Sequence, residues 1–260
     1  MKKSLLGLVA IGALIATPVM AADLGMPLKA PPAPVPVVAS WTGFYIGIEG
    51  GGGWGNENWL DNSTTGCPPC VGVTHHPDGG IFGGQIGVRY QFSNNIVIGV
   101  EGTAAWAGLS DTVSTATAAF FPTETEQFKV NSLYTATGQV GYAFNQALLY
   151  VKGGWAGANT NWMVNAPTAV APNTPFTASN SQNNSGWTVG VGLDYQFWNN
   201  LVAGIEYDHF DLGYAGFTAP VSNGGTPFLV ESTSRLTIDQ VVGRLSYKFN
   251  WTPAPIATRY

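Results

Sequence analysis

Charge is scarce in this chain of 260 residues, because only 10% of them are Asp, Glu, Lys or Arg. Soluble proteins average about 25% charged residues, which cover the surface that faces water. Glycine and aromatic residues are abundant instead, with 34 glycines and 12% Phe, Trp and Tyr. The composition therefore indicates that something other than water covers much of the surface.

Basic residues, histidine and cysteine are also few. Ten Lys and Arg stand against fifteen Asp and Glu, and the chain has three His and two Cys. A nucleic-acid interface needs clustered Lys and Arg, so no nucleic-acid partner is expected. Hydrolytic triads and structural zinc centres need histidine or cysteine in defined groups. We predict no catalytic residue, no cofactor and no resident metal, and we expect the protein not to be an enzyme.

Long apolar runs are missing except at the N-terminus. There, Lys2 and Lys3 precede the apolar segment 5–15, and Val19-Met20-Ala21 follows it. This layout is typical of a cleavable secretory signal, and the run is shorter than the roughly 20 residues of a membrane-spanning helix. We assign residues 1–21 to a signal peptide. Any membrane crossing farther along the chain must then use strands.

The remaining chain divides into a proline-rich segment, a long region of alternating residues and a short tail. Residues 22–40 contain five prolines and predict an extended periplasmic segment. Period-two alternation then indicates eight strands, at 41–55, 80–92, 96–109, 129–144, 147–158, 185–197, 201–210 and 236–249. Short breaks alternate with long ones, as in outer-membrane barrels.

This alternation predicts an all-β fold for residues 41–251. The expected architecture is an eight-stranded antiparallel up-and-down transmembrane β-barrel with four long extracellular loops and three short periplasmic turns. The short turns are 93–95, 145–146 and 198–200. Residues 252–260 would form a short periplasmic tail.

One face of the predicted strands is apolar and uncharged, as Phe44, Ile46 and Ile48 illustrate. In a membrane barrel this face contacts lipid and ends in an aromatic girdle at each interface. The predicted periplasmic girdle contains Trp41, Phe92, Phe144, Phe197, Trp198, Phe249 and Trp251. The predicted outer girdle contains Trp54, Trp106, Trp155 and Trp187. A soluble lipocalin-like barrel shows the same alternation but gives no reason for two aromatic bands.

The opposite face carries the charges and should line the lumen. Glu101, Lys152, Glu206 and Arg244 lie at about one depth when counted from the periplasmic ends of their strands. Opposite charges in so narrow a barrel should pair, because an unpaired buried charge is costly. We predict that these four residues form a network that closes the lumen. Arg89 and Asp194 would form a second layer nearer the periplasm, and two further inward charges are Glu49 and Lys248. A solvated channel lining whose charges do not meet is the alternative.

An internal repeat accompanies this pattern. Residues 87–102 (GVRYQFSNNIVIGVEG) and 192–207 (GLDYQFWNNLVAGIEY) share nine of sixteen positions without a gap. Each copy spans a strand, an Asn-Asn turn and the next strand. Either a duplication or convergence on the same turn chemistry accounts for the likeness, and in both cases the two hairpins should cross the membrane alike.

The chain resembles the small outer-membrane β-barrel proteins of alpha-proteobacteria, which are RopB-like and often labelled porin family. The resemblance rests on residues 41–47 (WTGFYIG) after the proline-rich stretch, on residues 50–55 (GGGGWG) and on the ending 245–249 (LSYKF). It covers essentially the whole mature chain. It implies a major surface component of the cell envelope, embedded in outer-membrane lipid and lipopolysaccharide and inserted by the barrel-assembly machinery.

Two cysteines in the first long loop, Cys67 and Cys70, are candidates for a disulfide that staples the loop. Paired cysteines that pass through an oxidising periplasm usually form disulfides. Free thiols and a metal site with the following His75 and His76 are the alternatives. The Asp208-His209 pair has no serine in recognisable context, so we interpret it as polar residues at the outer rim.

These features favour a non-enzymatic outer-membrane surface protein that contributes to envelope integrity. Two alternatives are a narrow porin-like channel for small solutes or ions, and adhesion or ligand binding through the extracellular loops. Eight strands enclose an interior just wide enough for side chains, which disfavours a wide diffusion pore.

Overall fold

Antiparallel strands account for almost all of the described chain, which in this computed structural model comprises residues 40–61, 74–115, 122–169, 175–223 and 226–249. The strands are β1 (Gly43–Asp61), β2 (Thr74–His75), β3 (Asp78–Gln91), β4 (Ile96–Ser114), β5 (Thr125–Phe144), β6 (Ala147–Ala166), β7 (Phe176–Gln196), β8 (Leu201–Asn223) and β9 (Thr226–Phe249). Within the described ranges, no helix is long and apolar enough to cross a membrane.

The eight long strands form a closed ring. Each pairs with the next long strand in antiparallel register, and β1 also pairs with β9 from Phe44↔Phe249 to Asp61↔Ser232. Closure leaves no sheet edge in the ring, so every strand obtains backbone partners on both sides, as a spanning barrel requires. The predicted eight-stranded up-and-down barrel is confirmed. The two-residue β2 is an addition, and it pairs with the outer end of β1.

The short turns lie where the sequence predicted them. Asn95 and Asn145 adopt positive φ angles of 65° and 56°, a conformation that asparagine tolerates better than most residues. The periplasmic ends of the strands therefore match the predicted ends closely. The last strand, for example, was predicted to end at residue 249 and does end at Phe249.

The outer ends differ, because the strands continue well beyond the predicted limits. β6 extends to Ala166 instead of residue 158, and β7 begins at Phe176 instead of residue 185. Polar ladders replace the apolar face there: Asn159 donates to Asn183 Oδ1 at 3.0 Å, and Asn161 donates to Ser181 Oγ at 2.9 Å. These extensions protrude past the lipid, so hydrophobic alternation gives no signal for them.

The wall of the barrel separates two environments. The outward side carries exposed apolar and aromatic residues between the periplasmic turns and the outer tryptophans. The inward side is filled with side chains, in agreement with the narrow interior of eight-stranded barrels. We refer to the stretch from the periplasmic turns to Trp54, Trp106, Trp155 and Trp187 as the membrane-spanning part, and to everything beyond those tryptophans as the outer mouth.

Candidate functional site in the barrel interior

Four charged side chains from four strands meet inside the membrane-spanning part. Arg244 on β9 bridges Glu101 on β4 and Glu206 on β8, with one guanidinium nitrogen on each carboxylate. Lys152 Nζ on β6 lies 2.6 Å from Glu206 Oε1 and 3.3 Å from Glu101 Oε1. All four side chains are at most 2% exposed. This central layer thus links strands on different sides of the barrel.

Three residues outside the predicted set complete the central layer. Tyr45 donates its hydroxyl to Glu101 at 2.7 Å, and Tyr150 donates to Glu206 at 2.5 Å. Lys152 Nζ also lies 3.3 Å from Asp208 Oδ1. Strand alternation places these residues on the same side as the predicted charges, so the period-two pattern contained the signal for them. A search limited to charged residues could not find the two tyrosines.

A second layer lies one step nearer the periplasm. Arg89 Nη1 on β3 lies 2.6 Å from Asp194 Oδ2 on β7, and Arg89 Nε donates to Gln139 Oε1 at 3.1 Å. The guanidinium also packs against two aromatic rings, with its carbon 4.6 Å from the centroid of Tyr45 and 5.0 Å from that of Tyr150. This stacking favours Arg over Lys at the position, because a planar cation can lie against a ring.

The other two inward charges form no ion pair among the described residues. Glu49 stands opposite Arg244 in the β1–β9 ladder, at the depth of the central layer, but its buried Oε2 atom has no hydrogen-bond partner among the described residues. Lys248 Nζ lies nearer the periplasm and contacts Gln196 Oε1 at 3.0 Å and the backbone oxygen of Ser40. The structure therefore pairs six of the eight predicted residues in two layers and leaves Glu49 and Lys248 without an ion-pair partner.

Trp41 forms a floor at the periplasmic end, which corrects its predicted place in the lipid-facing girdle. Its side chain is only 1% exposed and packs with a small cluster made of Val97, Ala143, Leu148, Tyr150 and Val202. The indole Nε1 donates to the backbone oxygen of Asn145 at 3.3 Å. Trp41 precedes β1, so the alternation of that strand does not fix its direction, and the ring turns inward beneath Arg89 and Lys248.

An apolar layer fills the interior on the outer side of the charges. Its members include Leu109, Phe128, Val130, Phe210, Leu236 and Ile238. Polar groups have no partners in such a layer, so water and ions are disfavoured there. The interior therefore consists of an aromatic floor, two charged layers and an apolar layer, in that order from the periplasm.

The other girdle residues within the described ranges point outward. Their exposed fractions run from 42% for Phe92 to 73% for Trp106. They are Phe92, Phe144, Phe197, Trp198 and Phe249 near the periplasm and Trp54, Trp106, Trp155 and Trp187 near the outer mouth. Trp251 and the candidate disulfide of Cys67 and Cys70 lie outside the described residues.

The chemistry of the described residues gives little basis for a metal centre or a hydrolytic site. No group of three His, Cys, Asp or Glu side chains among them is placed to hold a metal ion. Asp208 and His209 point to opposite sides of the wall: Asp208 is buried in the lumen, whereas His209 Nδ1 lies 2.8 Å from Asp239 Oδ1 on the outward side. The interior arrangement can hold strands together and exclude water.

A closed antiparallel barrel with an apolar outer wall and a charged interior is a transmembrane β-barrel. Residues 9–249 match the family model described as outer membrane protein beta-barrel domain. The chain is 32% identical to the 31 kDa outer-membrane immunogenic protein of Brucella melitensis over 212 residues, which are 79% of this chain and 86% of that protein. It is 31% identical to the 22 kDa outer membrane protein of Rhizobium leguminosarum over 180 residues, or 69% and 68% of the two chains.

A protein of Coxiella burnetii is 30% identical over 156 residues, which are 56% of this chain and 60% of that one. Among solved structures, the outer membrane protein OprG from Pseudomonas aeruginosa aligns over 81% of this chain and 99% of its own, at 13% identity and a TM-score of 0.46. The chain belongs to the outer membrane protein beta-barrel domain family, in the group that includes the Brucella and Rhizobium proteins. It is therefore an outer-membrane protein of a Gram-negative bacterium, as the sequence predicted.

Proposed function

We propose that this protein is a non-enzymatic component of the outer membrane, whose closed barrel anchors surface segments and contributes to the integrity of the envelope. The observation that carries the proposal is Arg244, which bridges Glu101 and Glu206 across the lumen. A barrel with such a bridge across its centre is expected to obstruct the movement of solutes along its axis.

The energetics of the interior support closure. Opening a path would separate buried ion pairs, and the loss of one partner of a buried pair typically costs about 3–5 kcal/mol. The layers on either side add to this barrier, because Trp41 and the apolar cluster would also have to move. A narrow channel for small solutes or ions is thus the less favoured function of the barrel.

The relatives support a role at the surface rather than in catalysis. The 31 kDa and 25 kDa Brucella proteins are named outer-membrane immunogenic proteins, and such a name fits a protein that displays segments outside the cell. The expected partners are outer-membrane lipid and lipopolysaccharide along the apolar wall, and the barrel-assembly machinery during biogenesis. The aromatic ending of β9, Tyr247 and Phe249, is the segment that we expect the machinery to recognise.

Deletion of the gene tests the envelope role. We expect the deletion strain to become more sensitive to detergent, because a stable, abundant barrel would be missing from the membrane. The parent gene should restore resistance. The gene for Arg235→Ala, a variant altered only at an exposed arginine of the outer mouth, should restore detergent resistance as well. This variant is the control for expression and insertion of a substituted barrel. Unchanged detergent sensitivity in the deletion strain would contradict the proposal.

A further inference from the structure

The returning end of the first long surface segment places a histidine inside the outer mouth. His75 belongs to β2 and stands opposite Glu57 of β1 in the β1–β2 ladder. Its side chain is fully buried, whereas its neighbours Thr74 and His76 are exposed. The backbone N–H of His76 donates to Asp111 Oδ2 on β4 at 2.8 Å. The segment is therefore attached to the barrel at two neighbouring residues.

Three carboxylates from three strands surround the buried imidazole. Nε2 lies 3.6 Å from Glu126 Oε2 on β5, and Nδ1 lies 3.6 Å from Asp111 Oδ2 on β4. Glu57 on β1 is the third, and β9 contributes only the neutral hydroxyl of Ser234, which bonds to Glu57. Neither ring nitrogen has a hydrogen-bond partner within the described residues, and the same holds for Glu57 Oε2 and Glu126 Oε2. The cluster is thus short of positive charge unless the imidazole is protonated.

The imidazole also covers the apolar layer. Its ring stacks on Phe128, with 6.1 Å between centroids and 29° between planes. Phe128 belongs to the apolar cluster that fills the interior below. Removal of His75 from this place would expose both the carboxylates and the top of that cluster to water.

The pKa values of this cluster, which lies beyond the membrane-spanning part, agree in direction. Burial alone would lower the pKa of His75, but Glu126, Glu57 and Asp111 outweigh burial and raise the pKa above its usual value. Burial raises the pKa of Glu57 to about 7, although the nearby His75 lowers it in part. Glu124, buried next to Glu126, also has a pKa raised to about 7 by burial and by that neighbour. Each shift means that the folded mouth binds protons more tightly than the unfolded chain does.

We propose that His75 is a proton-controlled latch that fastens residues 74–76 to the inner wall of the outer mouth. The protonated ring lies between Asp111 and Glu126 and compensates their charge. Its contribution is complete below the ordinary histidine pKa of about 6.5 and is lost as the pH rises through the raised pKa of the folded protein. The deprotonated ring leaves three carboxylates without a cation, and residues 74–76 separate from the wall.

A proton fits this place better than a metal ion. A metal ion at one ring nitrogen would compensate only the carboxylate on that side, whereas a protonated ring faces Asp111 with Nδ1 and Glu126 with Nε2. The described residues contain no group of three such ligands at metal-binding spacing. Added zinc is therefore one condition of the test, and restoration of protection at high pH by zinc counts against the latch.

The test measures hydrogen exchange at the backbone amides of Thr74, His75 and His76 in the full protein, refolded into lipid nanodiscs. Exchange rates are corrected for the intrinsic effect of pH on amide exchange, and EDTA removes metal ions from the sample. We expect protection to fall about tenfold or more between pH 5.5 and pH 8.5, which is the scale typical of losing an interaction with a charged group. Protection that does not depend on pH would overturn the latch, and so would full restoration at pH 8.5 by added zinc.

Matched variants separate the latch from a general effect of pH. His75→Gln should lose about tenfold protection at pH 5.5 and most of the pH dependence of protection. The double variant with Glu57→Gln should lose the pH dependence that remains. His76→Gln, an exposed neighbour, should behave like the parent. Histidine NMR gives a second measurement: the His75 ring should titrate above the ordinary histidine value of about 6.5, and Glu126→Gln should lower its midpoint. A His75 midpoint at or below about 6.5 would contradict the proposal.

Discussion

Each of the two repeat hairpins contributes a glutamate to an interior motif, and the two motifs are alike except for one residue outside the hairpins. In the first, Tyr45 donates to Glu101 and receives a hydrogen bond from Gln139 Nε2. In the second, Tyr150 donates to Glu206 and receives one from Arg244 Nη1. Tyrosine and glutamate are separated by 56 residues in both motifs, and tyrosine and its donor by 94. The second half thus holds a guanidinium where the first holds a neutral amide.

This difference shows how a repeated scaffold acquires a network that crosses the lumen. Two identical motifs would place two glutamates in the interior without a cation. Arg244 and Lys152, both in the second half, reach the glutamate of their own motif and that of the other. The second layer follows the same rule, because Arg89 and Asp194 occupy equivalent repeat positions and have opposite charge. The copies share backbone geometry, and their differences supply the pairing.

The largest effect should come from making the second motif like the first. Arg244→Gln leaves Glu101 and Glu206 with Lys152 as their remaining cation in the central layer. Breaking a buried pair from one side typically costs about 3–5 kcal/mol, so the free energy of unfolding should fall by that order. Urea unfolding in micelles measures it. Arg235→Ala, which removes an exposed arginine, should change stability little, and equal losses in both variants would contradict the network.

Glycines that face the two tyrosines should give the next largest effect. A Cβ added at Gly87 would overlap the ring of Tyr45, and one at Gly192 would overlap the ring of Tyr150. Overpacking of this kind costs about 1–3 kcal/mol, so Gly87→Ala and Gly192→Ala should destabilise the barrel similarly. Gly138→Ala is the control, because a Cβ there meets nothing within 4 Å. The same urea assay measures the three variants. Equal free energies of unfolding for all three would show that the tyrosine rings do not need the space that Gly87 and Gly192 leave.

The smallest effect distinguishes the two tyrosines. Tyr45→Phe removes a hydroxyl that receives from a neutral amide, whereas Tyr150→Phe removes one that receives from a guanidinium. Hydrogen bonds to charged groups contribute about 1.5–3 kcal/mol, against roughly 1 kcal/mol for neutral ones. Tyr150→Phe should therefore lower the heat stability of the barrel more than Tyr45→Phe does. Heat stability is measured as the temperature at which the faster-migrating folded form disappears from gels. A greater cost for Tyr45→Phe would reverse the comparison.

Much of the membrane-spanning part could be predicted from the sequence because lipid imposes a strict period of two. That constraint placed Glu101, Lys152, Glu206 and Arg244 on one side and most girdle residues on the other. It does not apply before β1, where Trp41 turns inward, or beyond the lipid, where β6 and β7 continue on polar ladders. His75 was also out of reach, because its burial depends on a two-residue strand whose pairing with β1 no local pattern indicates.

Single-channel recording in planar bilayers tests the closed lumen most directly. We predict that the refolded parent and Arg235→Ala pass no steady current, and that Arg244→Ala produces openings because Glu101 and Glu206 lose the guanidinium between them and keep only Lys152 as a shared cation. Folded protein is verified in each case by its faster migration on unheated gels. A large, steady current through the parent that Arg244→Ala leaves unchanged would contradict closure by this network and favour a channel.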